Sequence, residues 1–503
     1  MRKSLVAVGI LSLLGIGACF AFPVVNGPVV AFMTGRGIEA PSEEVVQSRY
    51  QAAEGYTVEL FAEGILTARF MRFSPGGALL VSQPRQGKVV HVLPDADGDG
   101  RSDGHRVFLE GLDRAQGLDF RDGYLYLAET GAIVRVPIAD DGPATIRTAG
   151  PIEQVVEGIP AGGGHWNRTL RFGPDGGLYV HVGSSCNVCE EEDERRAAIL
   201  RFEPDGSGEE IYAAGLRNSV GFDWQPGTDD LYATDNGRDL LGDDYPPCEL
   251  NKVERGKFYG WPYANAFGDV DPDFGEANPD KVAMSVSPVH GFRAHNAPLG
   301  ITFLRHPETP EALQGAALVA LHGSWNRSRL DGYKVVSLHW QNGQIEERDF
   351  MTGFEIDEDV RGRPVDVIEG PDGSIYVSDD YAGAIFRLHR GPATAAAAPL
   401  PGSAGATSAA TTSAPLAALD ASTREALDAA GGALFEDNAC GTCHLAAQAS
   451  AGVVARPLEN LATKYTLDSL TGFFLSPTPP MPAFDLPEEE RRALAAHLLA
   501  RFE

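Results

Sequence analysis

The chain has 503 residues and a formal charge of -29, from 70 acidic and 41 basic side chains, and 43% of its residues are hydrophobic. This length predicts two to four domains, or one large repeat architecture with a small second domain, and the hydrophobic content excludes wholesale disorder. The acidic balance argues against nucleic acid as a partner and against docking on anionic lipid. The 58 glycines and 34 prolines favour turn-rich β structure over helical bundles.

Residues 1–21 have the pattern of a signal peptide. Arg2 and Lys3 precede an apolar run that is too short to span a bilayer, and small residues follow. Cleavage after Ala21 would release a soluble periplasmic protein, which is the outcome we favour. Alternatively, residues 16–19 resemble a bacterial lipobox, and Cys19 would then carry a lipid anchor.

Residues 391–420 consist mainly of Ala, Ser, Thr, Pro and Gly, without an apolar period. Such a segment cannot bury a core and predicts a flexible linker. It separates a body, residues 50–390, from a tail, residues 421–503.

The tail contains the sequence Cys440-Gly-Thr-Cys443-His444, which is the attachment pattern of a c-type haem. Cys440 and Cys443 would form thioethers with the haem vinyl groups, and His444 would bind the iron. A zinc site would need a second pair of ligands, and the tail offers none.

Met481 is the expected sixth ligand of the haem iron because it lies in a proline-flanked segment after the haem motif. His497 is the other candidate, but it falls in a predicted helix, residues 487–502, and fits a surface or packing role better. A helix before the haem motif, a Met loop and a C-terminal helix resemble a small class I cytochrome c. The resemblance covers residues 422–503 and implies a small all-α domain.

The body repeats one unit, a Gly-rich turn followed by a short strand whose residues alternate. The repeats start at Phe73, Phe120, Phe172, Trp224 and Glu369, at intervals of 47, 52, 52 and 145 residues. The last interval leaves room for a further unit around residues 316–324. A period near 50 is typical of propeller blades, so the sequence predicts a mainly β fold, a six-bladed β-propeller followed by the small all-α cytochrome c domain.

Several polar segments lie in the predicted loops of this propeller. They are GHWNRTLRFGPDG at 164–176, GLRNSVG at 215–221, DNGRD at 235–239, YGWP at 259–262, HGSWNR at 322–327 and GRP at 362–364. Together they resemble the glucose/sorbosone dehydrogenase family of six-bladed quinoprotein sugar dehydrogenases, and the sorbosone dehydrogenase branch more than soluble glucose dehydrogenase. The resemblance covers residues 55–390.

The resemblance implies pyrroloquinoline quinone, a flat tricarboxylate, as cofactor. An acidic protein must gather cations to hold such a molecule, and arginine pairs with carboxylates through two hydrogen bonds. Arg217, Arg327 and Arg363 lie in loops beside Gly, Asn or Pro, and Arg69 joins them by resemblance. A surface ion pair is the alternative for any one of them.

His165 matches the catalytic base of the family, and Arg217 would stabilise negative charge at a quinone carbonyl. In soluble glucose dehydrogenases an Asp orients the base. Here the matching residues are Gly183, Ser184 and Ser185, which leaves the orienting partner open.

The same resemblance assigns further residues to the cofactor pocket: Gln116, Asn218, Asn236, His295, His322, Trp325 and Asn326. The family also holds Ca²⁺ on the quinone, and the matching ligands are backbone carbonyls of Gly237 and Arg238.

A second, structural Ca²⁺ site is predicted from spacing alone. Asp95, Asp97, Asp99 and Asp103 occupy positions 1, 3, 5 and 9 of an EF-hand-like loop. Position 12 is Arg106 rather than Glu, so the loop is not a full EF-hand, and an acidic surface turn is the alternative.

Cys186 and Cys189 are predicted to form a disulfide, because an exported protein favours a disulfide over a redox thiol pair. Cys248 stands where the family usually has Asp and has no obvious partner. A free thiol and a rearranged pairing both stay open.

The two parts together predict a periplasmic quinohaemoprotein that oxidises an aldose or a sorbosone-like sugar aldehyde. Its electrons would leave through the haem to a downstream respiratory cytochrome or oxidase. Two alternatives are a propeller hydrolase or lactonase, and a non-catalytic propeller that docks a cytochrome onto a partner.

Overall fold

The computed structural model describes residues 37–341, 343–390, 416, 419–438, 440, 458, 461, 465–474 and 486–502. The chain divides into two compact units, Met1–Leu400 and Pro401–Glu503. The predicted signal peptide with Cys19, most of the predicted linker, and Cys443, His444 and Met481 lie outside the described residues. Within the described parts, no helix is both long enough and apolar enough to cross a membrane.

The first unit is built almost entirely from short strands. In chain order they are β1 (Gln51–Ala52), β2 (Tyr56–Ala62), β3 (Met71–Phe73), β4 (Leu79–Gln83), β5 (Lys88–Val92), β6 (His105–Glu110), β7 (Leu118–Arg121), β8 (Tyr124–Ala128), β9 (Ala132–Asp140), β10 (Ile146–Thr148), β11 (Glu153–Glu157), β12 (Leu170–Phe172), β13 (Leu178–Val182), β14 (Ala198–Phe202), β15 (Glu210–Ala214) and β16 (Phe222–Trp224). They continue with β17 (Leu231–Asp235), β18 (Pro247–Val253), β19 (Lys257–Phe258), β20 (Ala264–Asn265), β21 (Asp269–Val270), β22 (His290–Ala294), β23 (Pro298–Phe303), β24 (Ala317–Leu321), β25 (Lys334–Gln341), β26 (Gln344–Thr352), β27 (Glu355–Ile356), β28 (Asp359–Val360), β29 (Pro364–Glu369), β30 (Ile375–Asp379) and β31 (Ala384–Arg390).

These strands form six sheets of four or five strands, which are the blades of a propeller. Blade 1 is β3–β6, blade 2 is β7–β11, blade 3 is β12–β15 with β19, blade 4 is β16–β18 with β22, blade 5 is β23–β26 with β1, and blade 6 is β29–β31 with β2. The remaining strands form two small hairpins, β20–β21 and β27–β28. The prediction of a mainly β, six-bladed propeller is confirmed.

The repeated turns of the sequence join the first and second strands of the blades. Five of these turns contain a glycine with φ between 77° and 91°, at Gly77, Gly123, Gly176, Gly227 and Gly373. This backbone conformation is accessible to glycine at little cost, which explains why the turn residues recur with the blade period. Blade 5 differs, since a longer connection with a short 3₁₀ helix, Glu311–Leu313, joins its first two strands.

The N-terminal part of the propeller closes the ring. Strand β2 pairs antiparallel with β31 from Tyr56 opposite Arg390 to Ala62 opposite Ile385, so a strand that precedes blade 1 completes blade 6. Helix α1 (Glu43–Arg49) packs beside it, and its Gln47 Nε2 donates to the carbonyl of Val58 at 3.0 Å.

The core consists of six apolar clusters, each between neighbouring blades. The second strands β4, β13, β17, β24 and β30 are therefore buried along their whole length. The expected alternation of exposed and buried residues is wrong for these strands, because a neighbouring blade covers each face. A short helix, α2 (Pro279–Met284), lies between β21 and β22.

The second unit contains three described helices, α3 (Ala421–Asp437), α4 (Leu467–Phe473) and α5 (Glu488–Arg501). Helices α3 and α5 pack closely, because a Cβ on Gly431 would lie only 2.1 Å from the carbonyl oxygen of Ala493. Helix α5 confirms the predicted C-terminal helix. His497 Nδ1 lies 2.7 Å from Asp428 Oδ1, which fits the packing role expected for this histidine.

Candidate active site

The propeller unit holds a cavity of about 580 Å³ at one end of the blades. Most of its wall residues lie just before first strands or just after second strands in five of the blades, whereas Cys248 lies on β18, the third strand of blade 4. The lining residues include Arg69 and Arg85 from blade 1, His165 and Trp166 from blade 3, Arg217, Asn218, Asn236, Gly237, Asp239 and Cys248 from blade 4, His295, His322 and Trp325 from blade 5, and Arg363 and Asp380 from blade 6. Loops that are far apart in the chain thus meet at the mouth of the ring, where propellers carry their binding sites.

Ten of the residues predicted for the cofactor or its Ca²⁺ line this cavity. They are Arg69, His165, Arg217, Asn218, Asn236, Gly237, His295, His322, Trp325 and Arg363. Gln116 and Asn326 lie directly behind the wall. Gln116 Oε1 accepts from Arg69 Nε at 3.4 Å, and Asn326 Nδ2 donates to Asp239 Oδ1 at 2.9 Å.

Arg327 and Arg238 do not line the cavity. Arg327 donates to the backbone carbonyls of Asp243 and Ala294 and to Asp244 Oδ1. Arg238 donates to Asp271 at 2.6 Å and to Asp273 at 2.8 Å. The guanidinium of Arg327 is thereby held by loop carbonyls, so the structure does not give it the role of a carboxylate fork in the cavity.

The cavity has a positive balance although the chain is strongly acidic. Four arginines, Arg69, Arg85, Arg217 and Arg363, line it, whereas Asp239 and Asp380 are the carboxylates among its lining residues. These six side chains, four arginines and two aspartates, leave a surplus of two positive charges, on a chain whose formal charge is -29. Such a site attracts an anion, and arginines suit carboxylate ligands.

His165 is held through one ring nitrogen. Its Nδ1 lies 2.8 Å from Ser184 Oγ and 3.1 Å from the carbonyl oxygen of Ser184. The Ser184 hydroxyl itself donates to the carbonyl of Cys186 at 2.8 Å, so its oxygen is the acceptor towards the imidazole. This network assigns the proton to Nδ1 and leaves Nε2 as the basic atom. Ser184 thus supplies the orienting contact that the sequence left open.

His165 is neutral at ordinary pH. Burial, and next the positive charge of Arg217, lower the pKa of His165 to about 3, against the opposing effect of the Ser184 carbonyl. A neutral imidazole with a free nitrogen can accept a proton, as a general base must.

Arg217 is buried and fixed by four acceptors. Nε donates to the carbonyl of Asn187 at 2.9 Å, and one terminal nitrogen donates to Asn187 Oδ1 at 2.9 Å and to Asp239 Oδ2 at 3.2 Å. The other terminal nitrogen donates to the carbonyl of Asn236 at 3.1 Å. Its backbone is held as well, since the N–H of Arg217 donates to Asp235 Oδ2 at 2.9 Å.

His322 belongs to a chain of charged groups that joins blades 1, 5 and 6. Arg363 donates to His322 Nδ1 at 3.0 Å, His322 Nε2 donates to Asp380 Oδ1 at 3.0 Å, and Arg69 donates to Asp380 Oδ2 at 2.8 Å. Burial and the nearby Arg363 lower the pKa of His322 to about 4. Burial favours a higher pKa for Asp380, but the neighbouring His322 and Arg69 hold it below its ordinary value. The chain of contacts therefore combines a neutral histidine with an ionised aspartate.

Aromatic side chains border the cavity. Trp325 is 58% exposed although it lines the cavity, and the guanidinium of Arg114 lies 5.1 Å from the ring centre of Trp166. An exposed ring beside a cavity offers a flat face to a planar ligand or to a sugar.

Cys186 and Cys189 form the predicted disulfide. Cys248 is a buried free cysteine in the cavity wall, and burial raises the pKa of its thiol to about 11. Of the two possibilities that the sequence left open, the structure shows the free thiol.

Three of the four aspartates of the predicted structural Ca²⁺ loop come together. Asp95, Asp97 and Asp99 have ligand oxygens within 4.8 Å of one another, and Asp103 is not in the group. Asp95 also accepts from the backbone of Gly98 at 2.8 Å and of Gly100 at 3.0 Å.

The lining residues that the sequence reasoning missed include Arg85, Trp166, Asp239 and Asp380. Asp380 directly follows β30, and a carboxylate just after a second strand is a signal that could have found it. Asp239 and Trp166 lie inside polar segments that the sequence analysis identified, but it assigned the cofactor and catalytic roles to neighbouring residues.

Comparison with known proteins gives a family and a fold. A model of the glucose/sorbosone dehydrogenase family matches residues 127–387, which is 261 of the 503 residues. An iodide structure of a Trichoderma reesei protein of carbohydrate-active enzyme family AA12 is similar with a TM-score of 0.60 and 21% identity, covering 70% of this chain and 100% of that one.

Two curated relatives are also similar. An uncharacterised protein of Borreliella burgdorferi is 38% identical over 218 residues, which is 42% of this chain and 57% of that protein. A pyrroloquinoline quinone-dependent pyranose dehydrogenase of Coprinopsis cinerea is 26% identical over 423 residues, which is 68% of this chain and 55% of that protein. The chain thus spans little more than half the length of these relatives.

Proposed function

Since the chain belongs to the glucose/sorbosone dehydrogenase family, we propose that its propeller is a pyrroloquinoline quinone-dependent dehydrogenase. Its substrate is an aldose or a sugar aldehyde of the sorbosone kind, and its product is a lactone or an acid. The observation that carries this proposal is the positive surplus of the cavity beside a neutral histidine with a free nitrogen.

The residues present fit the cofactor. Its carboxylates match the arginines of the cavity, and Arg69, Arg217 and Arg363 would hold it. When bound, the quinone supplies the two-electron acceptor for the sugar. Backbone carbonyls at Gly237 would hold the accompanying Ca²⁺.

The protein's own residues then have distinct tasks. His165 Nε2 accepts the proton of the substrate hydroxyl, while Ser184 keeps the other ring nitrogen protonated and the ring oriented. Arg217, fixed by Asn187 and Asp239, places positive charge where negative charge develops. Trp325, an exposed ring beside the cavity, would offer its flat face to the cofactor or to the sugar.

The tail is proposed to be a cytochrome c domain. Cys440 and Cys443 would attach the haem, and His444 and Met481 would bind its iron. The packed helices α3 and α5 that flank this motif support the proposal. A tethered haem has a high effective concentration near the quinone. Electrons would pass from the quinone to this haem, and from the haem to a respiratory cytochrome or oxidase in the periplasm.

The full-length protein tests this proposal. Haem-loaded protein, reconstituted with pyrroloquinoline quinone and Ca²⁺, is mixed anaerobically with a panel of aldoses and sugar aldehydes, and the absorption bands of reduced haem are followed. We expect the bands only when quinone and a substrate sugar are both present. Haem reduction without quinone, or quinone binding with no reduction by any sugar, would contradict the proposal.

A further inference from the structure

A small loop closed by a disulfide contacts Ser184, which orients His165, and also contacts Arg217. The loop is Cys186-Asn187-Val188-Cys189, named the disulfide loop below. We propose that the disulfide loop positions both side chains for the reaction, and that Asn187 is the positioning residue for Arg217. The catalytic role in this inference rests on the proposed function, whereas the hydrogen bonds from which it is argued do not depend on that function.

Asn187 holds Arg217 through two hydrogen bonds. Its carbonyl accepts from Arg217 Nε and its side-chain Oδ1 accepts from a terminal nitrogen, both at 2.9 Å. Two hydrogen bonds from different nitrogens fix both the place and the tilt of the planar guanidinium. Among the described residues, Asn187 is the one that accepts from the Arg217 guanidinium with both its backbone carbonyl and its side chain.

The Asn187 side chain is itself fixed. Oδ1 also accepts from the N–H of Asp239 at 2.8 Å, and Nδ2 donates to the carbonyl of Asp239 at 3.1 Å. The amide therefore has a defined orientation, because its oxygen meets two donors and its nitrogen meets a carbonyl. Asn187 thus joins the disulfide loop of blade 3 to the cavity wall of blade 4.

The disulfide loop reaches His165 through Ser184. The carbonyl of Cys186 accepts the hydroxyl proton of Ser184 at 2.8 Å, which turns Ser184 Oγ into the acceptor for His165 Nδ1. Ser184 also donates its N–H to the carbonyl of Arg217 at 2.9 Å. The same short segment consequently sets the tautomer of the base and the place of the guanidinium.

A crosslink is useful at this place because the connection is long and irregular. Residues 183–197 join β13 to β14 without regular secondary structure, and a segment of that kind has many conformations to lose. The disulfide restricts four consecutive residues of it, which include the acceptors for Ser184 and Arg217. Without the disulfide these carbonyls would hold their partners less tightly.

The first test reads the position of Arg217 without cofactor or substrate. Protein without quinone, labelled with ¹⁵N-arginine, gives an Nε–H signal of Arg217, which is assigned by its loss in Arg217→Lys. We expect slow hydrogen exchange in the wild type and exchange at least about tenfold faster in Cys186→Ser/Cys189→Ser and in Asn187→Ala. Asn187→Asp keeps both oxygen acceptors for Arg217 but loses the bond from Nδ2 to the carbonyl of Asp239, so its exchange should be slower than that of Asn187→Ala. Exchange equal to the wild type in both loosened variants would overturn the proposal.

The second test reads turnover by the reconstituted enzyme. Asn187→Ala keeps the disulfide and should lower kcat about 10- to 100-fold with little change in KM, as a displaced catalytic group does. Asn278→Ala is the matched control, since within the described structure the side chain of Asn278 makes one hydrogen bond outside the cavity, to the carbonyl of Phe274 at 2.9 Å, and its loss should leave kcat unchanged. An unchanged kcat in Asn187→Ala overturns the inference, whereas a wild type without quinone-dependent turnover overturns the proposed function instead.

Discussion

Two of the three histidines that line the cavity, His165 and His322, have surroundings that differ in a way that separates their tasks. His165 and His322 are both neutral because burial and a nearby arginine lower their pKa values, to about 3 and about 4. Among the described residues, His165 has hydrogen-bond partners on one ring nitrogen, the uncharged oxygens of Ser184, and none on Nε2. His322 uses both ring nitrogens, between Arg363 and Asp380. The two histidines therefore differ in their hydrogen bonds rather than in their pKa values: His165 has a nitrogen available for a proton, whereas His322 links Arg363 to Asp380.

Removing each histidine in turn tests this comparison with the largest expected effect. His165→Ala should lower kcat about 100- to 10,000-fold, because the proton acceptor is lost, while quinone affinity changes little. His322→Ala should keep kcat within about tenfold of the wild type at saturating quinone and should weaken quinone binding. Steady-state kinetics with quinone titrations measure both quantities. Equal losses of kcat in the two variants would remove the distinction.

The charged side of the comparison is tested at Arg363. Arg363→Gln should weaken quinone binding about 10- to 100-fold, since a charge-assisted hydrogen bond contributes about 1.5–3 kcal/mol. Arg348→Gln removes a positive charge that pairs with Glu346 outside the cavity and is the matched control. Fluorescence titration with pyrroloquinoline quinone gives the affinities. The same affinity in both variants would mean that total charge, rather than Arg363, attracts the cofactor.

Ser184 tests how His165 is oriented. Ser184→Ala removes Oγ but keeps the backbone carbonyl 3.1 Å from Nδ1, so we expect only about a three- to tenfold loss of kcat. The pre-steady-state rate of quinone reduction in Ser184→Ala and in the wild type measures this loss. A loss as large as that of His165→Ala would show that the hydroxyl alone orients the base.

The pH dependence gives the smallest expected effect. A base with its pKa lowered to about 3 stays unprotonated above that value, so kcat/KM should be flat from about pH 5 to about pH 8. An unperturbed histidine would instead lose activity as the pH falls through about 6.5. A stopped-flow pH series, with Arg348→Gln as a charge control, distinguishes a lowered from an unperturbed pKa of His165. An inflection near 6.5 would contradict the lowered pKa.

The sequence was sufficient for the propeller because its signal is local. Each turn glycine with positive φ lies within a few residues of the strand it precedes, and the period repeats along the chain. The alternation expected in the second strands was wrong, since burial on both faces depends on the neighbouring blade.

The cavity could be predicted only in part. Arg69 and Asp380 are 311 residues apart and meet only because the ring closes. Arg327 has the residue type and loop setting of a cofactor ligand, yet nearby carbonyls hold its guanidinium. The acceptors that orient His165 and Arg217 include backbone carbonyls of Ser184 and Asn187, and a backbone atom leaves no mark on the sequence.

The most direct measurement of the central claim is a titration of the full-length protein with pyrroloquinoline quinone in the presence of Ca²⁺, followed by anaerobic addition of an aldose. We expect saturable binding of one equivalent, weakened by added salt and by Arg363→Gln, and loss of the oxidised-quinone absorption when the sugar is added. Absence of saturable binding, or binding that neither salt nor Arg363→Gln affects, would contradict the assignment of this cavity.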